Sequence, residues 1–339
     1  MTDTDLAEFR RIVHTLVDPA KKLKDLIPEA QGLRDLLERR TNFQIDSTQD
    51  IAAGETRLDS GLAISPTLAA MCLRELARTP AFIRGVHQAI AETLRPDRPV
   101  RVLYAGCGPY ALLALPSMAL FALDRVRFSL LEIHQESLGR ALALIDAFGF
   151  SGHLDAALCA DATRYQIPAD RQPDIVVSET MAVCLHNEPQ VAIARHLLGQ
   201  APEARLVPQS VSVEAWLVNG AKEHLVLPAD HIGPIPESER DRVFLGKVFE
   251  LNAATIRAWK NIEGDRLPAG QVTLPNPIES HYRPHLLTKI VVYGDHRLQD
   301  YDCSLTPPRP LRGKIEAGAT LQFHYQLSDN PQLVYRVIA

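Results

Sequence analysis

The sequence predicts an α/β fold, a Rossmann-like doubly wound parallel sheet with a helical region before it and a mostly antiparallel β domain after it. The first hundred residues repeat apolar side chains every three or four positions, which is typical of helices. From Val100, short apolar strands alternate with helical segments, and after Leu206 most strands follow one another directly. With 339 residues the chain exceeds one ordinary domain of roughly 100–200 residues, so we expect two lobes.

The N-terminal helices come first. LAEFRRIVHTLV and LRDLLERR have a helical period, and a second helical block begins at Ser65, a suitable N-cap that is followed by Pro66. Arg95-Pro96 ends this block. We therefore assign residues 1–60 to an N-terminal helical segment or lid, and residues from 61 onward to the nucleotide-type lobe.

The parallel sheet is predicted from four apolar segments, VRVLYAG, VRFSLLE, HLDAALCAD and PDIVVSE, with helix-like segments between them. This lobe is expected to span 61–205. The remaining residues, 206–339, predict a β-barrel-like domain, and a helical insert is expected within it at about 226–265.

Composition excludes several classes of protein. The chain has 36 basic and 41 acidic residues, a formal net charge of −5 and no block of Lys and Arg, so no nucleic acid partner is expected. Pro116 breaks the longest apolar stretch, which is shorter than the roughly 20 residues that cross a membrane. The N-terminus lacks a signal-peptide core, which predicts a cytoplasmic protein without a membrane partner. Five scattered cysteines predict reduced thiols and no metal site.

The carboxyl ends of the predicted parallel strands carry the candidate site, because ligands of open parallel sheets bind there. The first strand ends in a glycine turn, in which the backbone can approach a ligand closely. Acids follow the next three strands. The residues are Gly106, Cys107 and Gly108, then Glu132, then Asp161 and Ala162, then Ser178 and Glu179.

Two cofactors could use this series, a dinucleotide or S-adenosylmethionine. A dinucleotide needs an open helix N-terminus for its pyrophosphate, and here the turn continues into Pro109 and Tyr110, which crowd that approach. S-adenosylmethionine carries no phosphate. The sequence therefore favours S-adenosylmethionine, with Glu132 placed like the acid that binds ribose hydroxyls.

The segment SETMAVCLHNE places two glutamates nine positions apart directly after the fourth strand. On this segment the chain resembles the class I S-adenosylmethionine-dependent methyltransferases, and within them the protein arginine methyltransferases, over roughly residues 57 to 325. In that family two such glutamates grip the substrate guanidinium. The matching positions are Ser178, Glu179, Met181, Cys184, Leu185 and Glu188.

The resemblance implies further roles. LARTPAF is similar to a family helix, which implies that Arg78 binds the methionyl carboxylate of the cofactor. Glu132 would then bind the ribose, Asp161 and Ala162 the edge of the adenine, and Met181 would contact the substrate. The helical insert stands where the family carries a dimerisation arm, which implies a homodimer.

The chain also departs from the family. Tyr104 and Tyr110 replace an acid and a third glycine of the first motif. No tyrosine precedes Tyr104, so the family's aromatic lid is missing and RLDSG (57–61) occupies its place. A small, enclosed acceptor is therefore expected. The family's Thr-His-Trp loop has two candidate equivalents, at His281-Tyr282 and at His285.

The leading hypothesis is N-methylation of the guanidino group of free L-arginine, as in natural-product pathways. Glu179 and Glu188 would hold the planar cation, and His281 or His285 would relay its proton. The acceptor carboxylate needs a cation, for which the candidates are Arg57, Lys289 and Arg283. The alternatives are a protein arginine methyltransferase, a non-catalytic cofactor-binding scaffold, and an O- or C-methyltransferase.

Simpler roles compete with each assignment. Glu179 could cap the following helix, and Glu188 could be the solvated start of a helix. Arg78 could pair with Glu75 on its own helix. Cys107 and Cys184 suit packing better than nucleophilic catalysis, since no His-Asp arrangement accompanies them.

Overall fold

The computed structural model describes residues 3–41, 50–223 and 240–338. At its N-terminal end, α1 (Asp3–Val17) and α2 (Ile27–Thr41) form a helical hairpin joined by a 3₁₀ turn. Phe9, Ile12 and Leu16 of α1 are fully buried. This helix packs against α2 and against helices of the central sheet.

The central sheet has five parallel strands, with helices before and between them, and this confirms the predicted parallel sheet. The strand order in space is β5-β4-β3-β6-β7. The strands are β3 (Val100–Ala105), β4 (Val126–Glu132), β5 (Leu154–Cys159), β6 (Ile175–Ser178) and β7 (Arg205–Val207). The helices are α3 (Pro66–Met71), α4 (Arg78–Thr93), α5 (Leu115–Leu120), α6 (Gln135–Ala147) and α7 (Gln190–Gln200).

Register brings the strand ends to one edge of the sheet. Ala105 of β3 lies opposite Leu131 of β4 on one side and Ser178 of β6 on the other. The residues that follow these strands therefore emerge side by side. Before the sheet, a short antiparallel hairpin of β1 (Thr56–Leu58) and β2 (Gly61–Ala63) lies close to the same edge.

Helix α3 begins where the sequence predicts. The Ser65 hydroxyl accepts a hydrogen bond from the Leu68 amide at 3.1 Å, and Pro66 occupies the first turn. The predicted helical block is interrupted, however, since Glu75 has an extended backbone between α3 and α4. This break places the side chains before α4 beside the start of that helix.

Helix α4 lies between the N-terminal hairpin and the C-terminal lobe. Its Arg84 side chain donates to the carbonyls of Leu16 and Asp18, each at 2.6 Å, which satisfies the end of α1. On its other side, a Cβ at Gly85 would lie 2.4 Å from Val292, so only glycine allows this close packing. These contacts fix the position of α4 and thus of its first residue, Arg78.

The C-terminal lobe contains two antiparallel sheets, which confirms the predicted antiparallel region. One has the order β12-β11-β8-β9, with β13 paired to β11, and the other has the order β10-β14-β15. The elements are β8 (Ser210–Asn219), α8 (Gly220–Glu223), β9 (Arg242–Asn252), α9 (Ala253–Ala258), β10 (Arg266–Thr273), β11 (Tyr282–Tyr293), β12 (His296–Leu298), β13 (Arg309–Pro310), β14 (Thr320–Gln326) and β15 (Gln332–Val337).

The prediction of a helical insert at 226–265 is wrong for most of those residues that the structure describes. Residues 226–239 lie outside the described residues, and 242–252 form strand β9, which pairs with β8. In this strand Phe249 pairs with Val213 of β8, and Val248 and Phe249 are both buried, so tertiary burial outweighs local helix propensity. Helix starts only at α9, where the Asn252 side chain accepts from the Thr255 amide at 2.9 Å.

No helix among the described residues is long and apolar enough to span a bilayer.

Candidate active site

A cavity of about 620 Å³ opens at the carboxyl edge of the parallel sheet. Its volume falls within the roughly 300–1,000 Å³ that is usual for small-molecule sites. Ser178, one of the predicted strand-end residues, is fully buried beside Gln190 and does not line the cavity, whereas the glycine turn and the residues at the ends of the next two strands do. These lining residues are Gly106, Cys107, Gly108, Glu132, Asp161 and Ala162.

The glycine turn and Glu132 are bonded to each other. Gly106 and Gly108 have φ angles of +72° and +61°, which residues other than glycine rarely adopt. A Cβ at Gly106 would also lie 2.4 Å from the Thr180 side chain. Glu132 accepts the Gly108 amide at 2.8 Å through Oε2 and the His134 amide at 3.0 Å through Oε1. Because a carboxylate has about four acceptor positions, Glu132 keeps capacity for the hydroxyls of a ligand.

The two tyrosines that depart from the family pattern both line the cavity. Burial raises the pKa of Tyr104 and raises that of Tyr110 to about 12. Both side chains are therefore neutral phenols near pH 7. They add aromatic surface to the wall near the glycine turn, without adding charge.

Arg78 stands between two carboxylates. Its Nη1 donates to Glu75 and its Nη2 to Glu179, and the Arg78 side chain is only 8% exposed. Burial lowers the pKa of Arg78, but the charges of Glu179 and Glu75 outweigh this effect and raise it. Arg78 therefore both pairs with Glu75 and lines the cavity.

The loop after β6 is bent back on itself. Cys184, Leu185 and Asn187 have positive φ angles of 57°, 55° and 69°. The Gln190 side chain closes the loop at its base by accepting the Thr180 amide at 2.9 Å and donating to the Ser178 carbonyl at 2.9 Å. The three positive-φ positions all lie between Glu179 and Glu188, so the chain turns the second glutamate back toward the first.

The C-terminal sheets hold the tip of this loop. Thr288 of β11 accepts the Cys184 amide at 2.8 Å, and the Tyr325 hydroxyl of β14 donates to the Leu185 carbonyl at 2.6 Å. Cys184 is thus a buried packing residue, as its sequence context suggests. The conformation of the loop depends on both lobes.

Glu179, Met181 and Glu188 all line the cavity. Burial raises the pKa of Glu188 to about 8, and the nearby charge of Glu179 adds to the shift. Burial also raises the pKa of Glu179, although Arg78 opposes this. Among the described residues, no group donates a hydrogen bond to the Glu188 side chain. The Glu188 carboxyl group on the cavity wall therefore lacks a positively charged partner, which suits a cationic ligand.

The two candidate histidines lie outside the cavity. His281 is exposed, with its ring nitrogens 4.0 Å from Asp241 and 3.7 Å from Glu279. His285 lies opposite Trp216 on β11, and its Nδ1 is 2.9 Å from the Arg283 carbonyl. The glutamate loop, which joins Glu179 to Glu188, contacts β11 at Leu286 and Thr288, beyond both histidines. Neither histidine is placed to take a proton from a ligand in the cavity.

The three candidate cations for an acceptor carboxylate are also elsewhere. Arg57 donates to the Asp329 carbonyl at 3.0 Å, Lys289 to Asp300 at 2.8 Å, and Arg283 to the Ser280 carbonyl at 2.7 Å. Arg74 does line the cavity, and its Nε is 3.0 Å from Glu38.

The sequence analysis missed several wall residues. Glu75 was considered only as a helix partner of Arg78, and Ser304 and Leu305 come from a distant loop without any motif. Leu58 and Leu62 of the β1–β2 hairpin also line the wall, whereas residues 3–41 do not. The turn residues Asp59-Ser60-Gly61 between apolar positions are a hairpin signal that could have found this element.

No group of three or more His, Cys, Asp or Glu side chains in the described ranges has the geometry of a metal site.

No protein family model matches the chain, and no curated protein matches it. Among solved structures, the Trypanosoma brucei PRMT1 enzyme-prozyme complex with AdoHcy matches with 12% identity and a TM-score of 0.47, over 78% of this chain and 90% of that one. Arabidopsis thaliana protein arginine methyltransferase 10 matches with 12% identity and a TM-score of 0.43, over 74% and 84%.

A Thiobacillus denitrificans S-adenosylmethionine-dependent methyltransferase in complex with S-adenosyl-L-homocysteine matches with 16% identity and a TM-score of 0.29, over 52% of this chain and 58% of that one. At these values the similarity concerns the course of the chain and decides neither a ligand nor a reaction. The function is therefore argued from the cavity itself.

Proposed function

We propose that this protein is an S-adenosylmethionine-dependent N-methyltransferase that acts on a guanidino group, with free L-arginine as its acceptor. The observation that carries the proposal is the pair Glu179 and Glu188, two half-buried carboxylates on the wall of one cavity that also contains the glycine turn and Glu132.

The cavity fits the proposed cofactor. Glu132 can accept ribose hydroxyls. Oδ1 of Asp161 accepts from Thr163 at 2.7 Å and 2.8 Å, and its Oδ2, which lies 3.7 Å from Arg164, is the proposed acceptor for the adenine edge beside Ala162. Arg78 is the proposed partner of the methionyl carboxylate. When bound, S-adenosylmethionine supplies a methyl group on a cationic sulfonium.

The two glutamates would bind and orient the acceptor. A guanidinium offers paired N–H donors in a plane, and two carboxylates fix that plane and aim one nitrogen. Fixed negative charge also offsets the repulsion between a cationic acceptor and a cationic donor. Binding a cation lowers the pKa of a neighbouring acid, so Glu188 would ionise as the acceptor enters.

Glu188 is also the proposed proton acceptor. With the cationic acceptor bound, the Glu188 carboxylate would be ionised and able to take a proton, and neither candidate histidine lines the cavity. The carboxylate would take the proton that the nitrogen loses on methylation. This assignment replaces the predicted histidine relay.

The β1–β2 hairpin supports a small acceptor. The Leu62 amide donates to the Asn187 carbonyl at 2.7 Å, beside Glu188, and a Cβ at Gly61 would lie 2.9 Å from the same oxygen. At its other strand, Arg57 reaches the Asp329 carbonyl. The hairpin thus contacts the loop between the two glutamates at one strand and the C-terminal lobe at the other, and this position would limit the space for a polypeptide acceptor.

Arg74 is the proposed partner of the acceptor carboxylate. It lines the cavity, and within the described residues only its Nε has a hydrogen-bond partner. Its two terminal nitrogens can therefore form the paired bonds that carboxylates prefer.

The test uses purified protein with methyl-labelled cofactor and either free L-arginine or an arginine-rich peptide. We expect label in L-arginine. Glu179→Gln and Glu188→Gln should each lower the rate about 10²-fold or more, because charge aimed at the reacting group is lost. Glu250→Gln, a half-buried glutamate of β9, is the control and should leave the rate unchanged.

Cofactor affinity separates the outcomes. Glu188→Gln should bind S-adenosylhomocysteine as wild type does in calorimetry. Label only in the peptide would reject the small acceptor. Turnover of any acceptor that survives both substitutions would reject guanidino chemistry, and it would favour O- or C-methylation.

A further inference from the structure

The segment 299–306 connects a buried ion cluster of the C-terminal lobe with the cavity. At its cavity end, the Ser304 amide donates to Oε1 of Glu75 at 2.6 Å. Oε2 of the same carboxylate accepts from Arg78. Glu75 therefore uses one oxygen for a residue 229 positions away and the other for Arg78.

The other end of the segment is held firmly. Asp300 is 2% exposed and accepts from Arg240, Arg242 and Lys289. The Tyr301 hydroxyl donates to Glu223 at 2.7 Å. Anchored charges of this kind define one position for the chain that follows them.

A closed turn then presents the Ser304 amide. The Thr306 amide donates to the Cys303 carbonyl at 3.1 Å, and the Cys303 amide donates to the Thr306 hydroxyl at 3.4 Å. Ser304 and Leu305 at the top of this turn line the cavity. The main-chain amide of Ser304 is thus a fixed donor rather than a mobile one.

Glu75 remains charged in this environment. Burial raises its pKa, but the charge and hydrogen bond of Arg78, together with the bond from Ser304, outweigh burial and lower it. Glu75, Arg78 and Glu179 together carry a net charge of −1 when both acids are ionised. Without Glu75, the whole charge of Arg78 would be directed at Glu179, and Glu179 would attract a cationic ligand less.

We propose that Glu75 is a positioning residue: held by the main chain of the 299–306 segment, it fixes Arg78 and offsets its positive charge, so that Glu179 stays oriented and the group of Glu75, Arg78 and Glu179 keeps a net negative charge toward the acceptor. The inference depends on the proposed function, because its measurable effect is on acceptor binding and turnover. It assigns a role in the reaction to a loop that carries no reacting group.

The first test compares wild type and Glu75→Gln by steady-state kinetics with L-arginine and by calorimetry of L-arginine binding in the presence of S-adenosylhomocysteine. Glutamine retains an acceptor for the Ser304 amide but loses the charge. We expect KM and the dissociation constant for L-arginine to rise about tenfold, as for a charged hydrogen bond, with kcat also lower. A merely destabilised enzyme would instead lose active fraction, with KM unchanged.

The second test changes the remote anchor. Asp300→Asn should raise KM in the same direction by a smaller factor, whereas Asp241→Asn, a carboxylate of the same lobe that bonds Tyr282 and Asn219, should leave KM unchanged. If Asp300→Asn does not fold, Lys289→Met, which removes one cation from Asp300, takes its place.

The outcomes separate the two proposals. A wild-type protein that neither binds nor methylates L-arginine would reject the proposed function. A wild-type protein that does both, while Glu75→Gln shows unchanged KM and kcat, would reject the positioning role alone.

Discussion

Two arginines in this molecule each lie between two carboxylates, and their surroundings differ. Arg78 is bonded to Glu75 and Glu179, and Arg242 to Glu223 and Asp300. The two side chains are almost equally buried, at 8% and 7% exposed. Burial and pairing alone therefore do not distinguish them.

Charge balance and access separate the two clusters. Arg240 and Lys289 also bind Asp300, and Asp302 interacts with Asp300 and Arg240, so three cations face three carboxylates in the described surroundings of Arg242. Around Arg78, Glu188 adds a third carboxylate and the cluster lines a cavity. An excess of buried charge that faces a cavity indicates a site for a ligand of opposite charge, whereas a compensated cluster indicates a structural role.

The pKa shifts follow the same division. Burial raises the pKa of Glu223, but its bonds from Arg242 and Tyr301 outweigh burial and lower it. Glu188 has no such donor among the described residues, and burial raises its pKa to about 8. The first acid is ionised across the physiological range, while the second can change its protonation within it.

The largest predicted effect is on the compensated cluster. Arg242→Met should lower the free energy of unfolding by about 3–5 kcal/mol, because it leaves buried carboxylates without their main partner. Urea unfolding measures this change. Lys247→Met, which removes a half-exposed pair on the same strand, is the control and should change stability by less than about 1 kcal/mol. Equal losses in both variants would contradict the comparison.

A pH dependence of intermediate size is expected from Glu188. Its folded pKa of about 8 exceeds its ordinary 4.5, so the folded state binds a proton that the unfolded state has lost between these values. Stability should therefore fall as pH rises through this window and level off above it. The groups that act on Glu188 are Glu179, Arg78 and Glu55.

Urea unfolding of wild type and Glu188→Gln between about pH 5 and pH 8 checks this expectation. The stability of wild type relative to the variant should decline steadily with pH, since glutamine does not titrate. Parallel curves for the two proteins would show that the Glu188 pKa is not raised.

The smallest effect is predicted for an exposed ion pair that belongs neither to the Arg242 cluster nor to the Arg78 cluster. Asp59 at the tip of the β1–β2 hairpin pairs with Arg164 at 2.7 Å, and their side chains are 90% and 71% exposed. Water screens such a pair, so Asp59→Ser should change the free energy of unfolding by less than about 1 kcal/mol. Thermal unfolding measures this, and a loss as large as that of Arg242→Met would show that exposure does not rank these pairs.

Much of the nucleotide-type lobe could be predicted from local pattern. Apolar runs predicted strands at β3, β4, β5 and β6, and their carboxyl ends placed Glu132 and Glu179 at one edge. The strand β9 was predicted as helix because its apolar residues fit either period, and only pairing with β8 decides between them. The positions of His281 and His285 could not be predicted for a related reason, since they depend on which part of β11 contacts the glutamate loop.

The sequence by itself determined the alternation of strands and helices in the parallel sheet, the residues at the strand ends and the spacing of the two glutamates, because these follow from periodicity and from neighbours along the chain. Only the tertiary structure decided that Glu75 is held by Ser304, that the β1–β2 hairpin bonds to Asn187 beside Glu188, and that His281 and His285 lie outside the cavity. Such contacts join residues far apart in the chain, and they depend on the packing and register of whole elements, which no local pattern specifies.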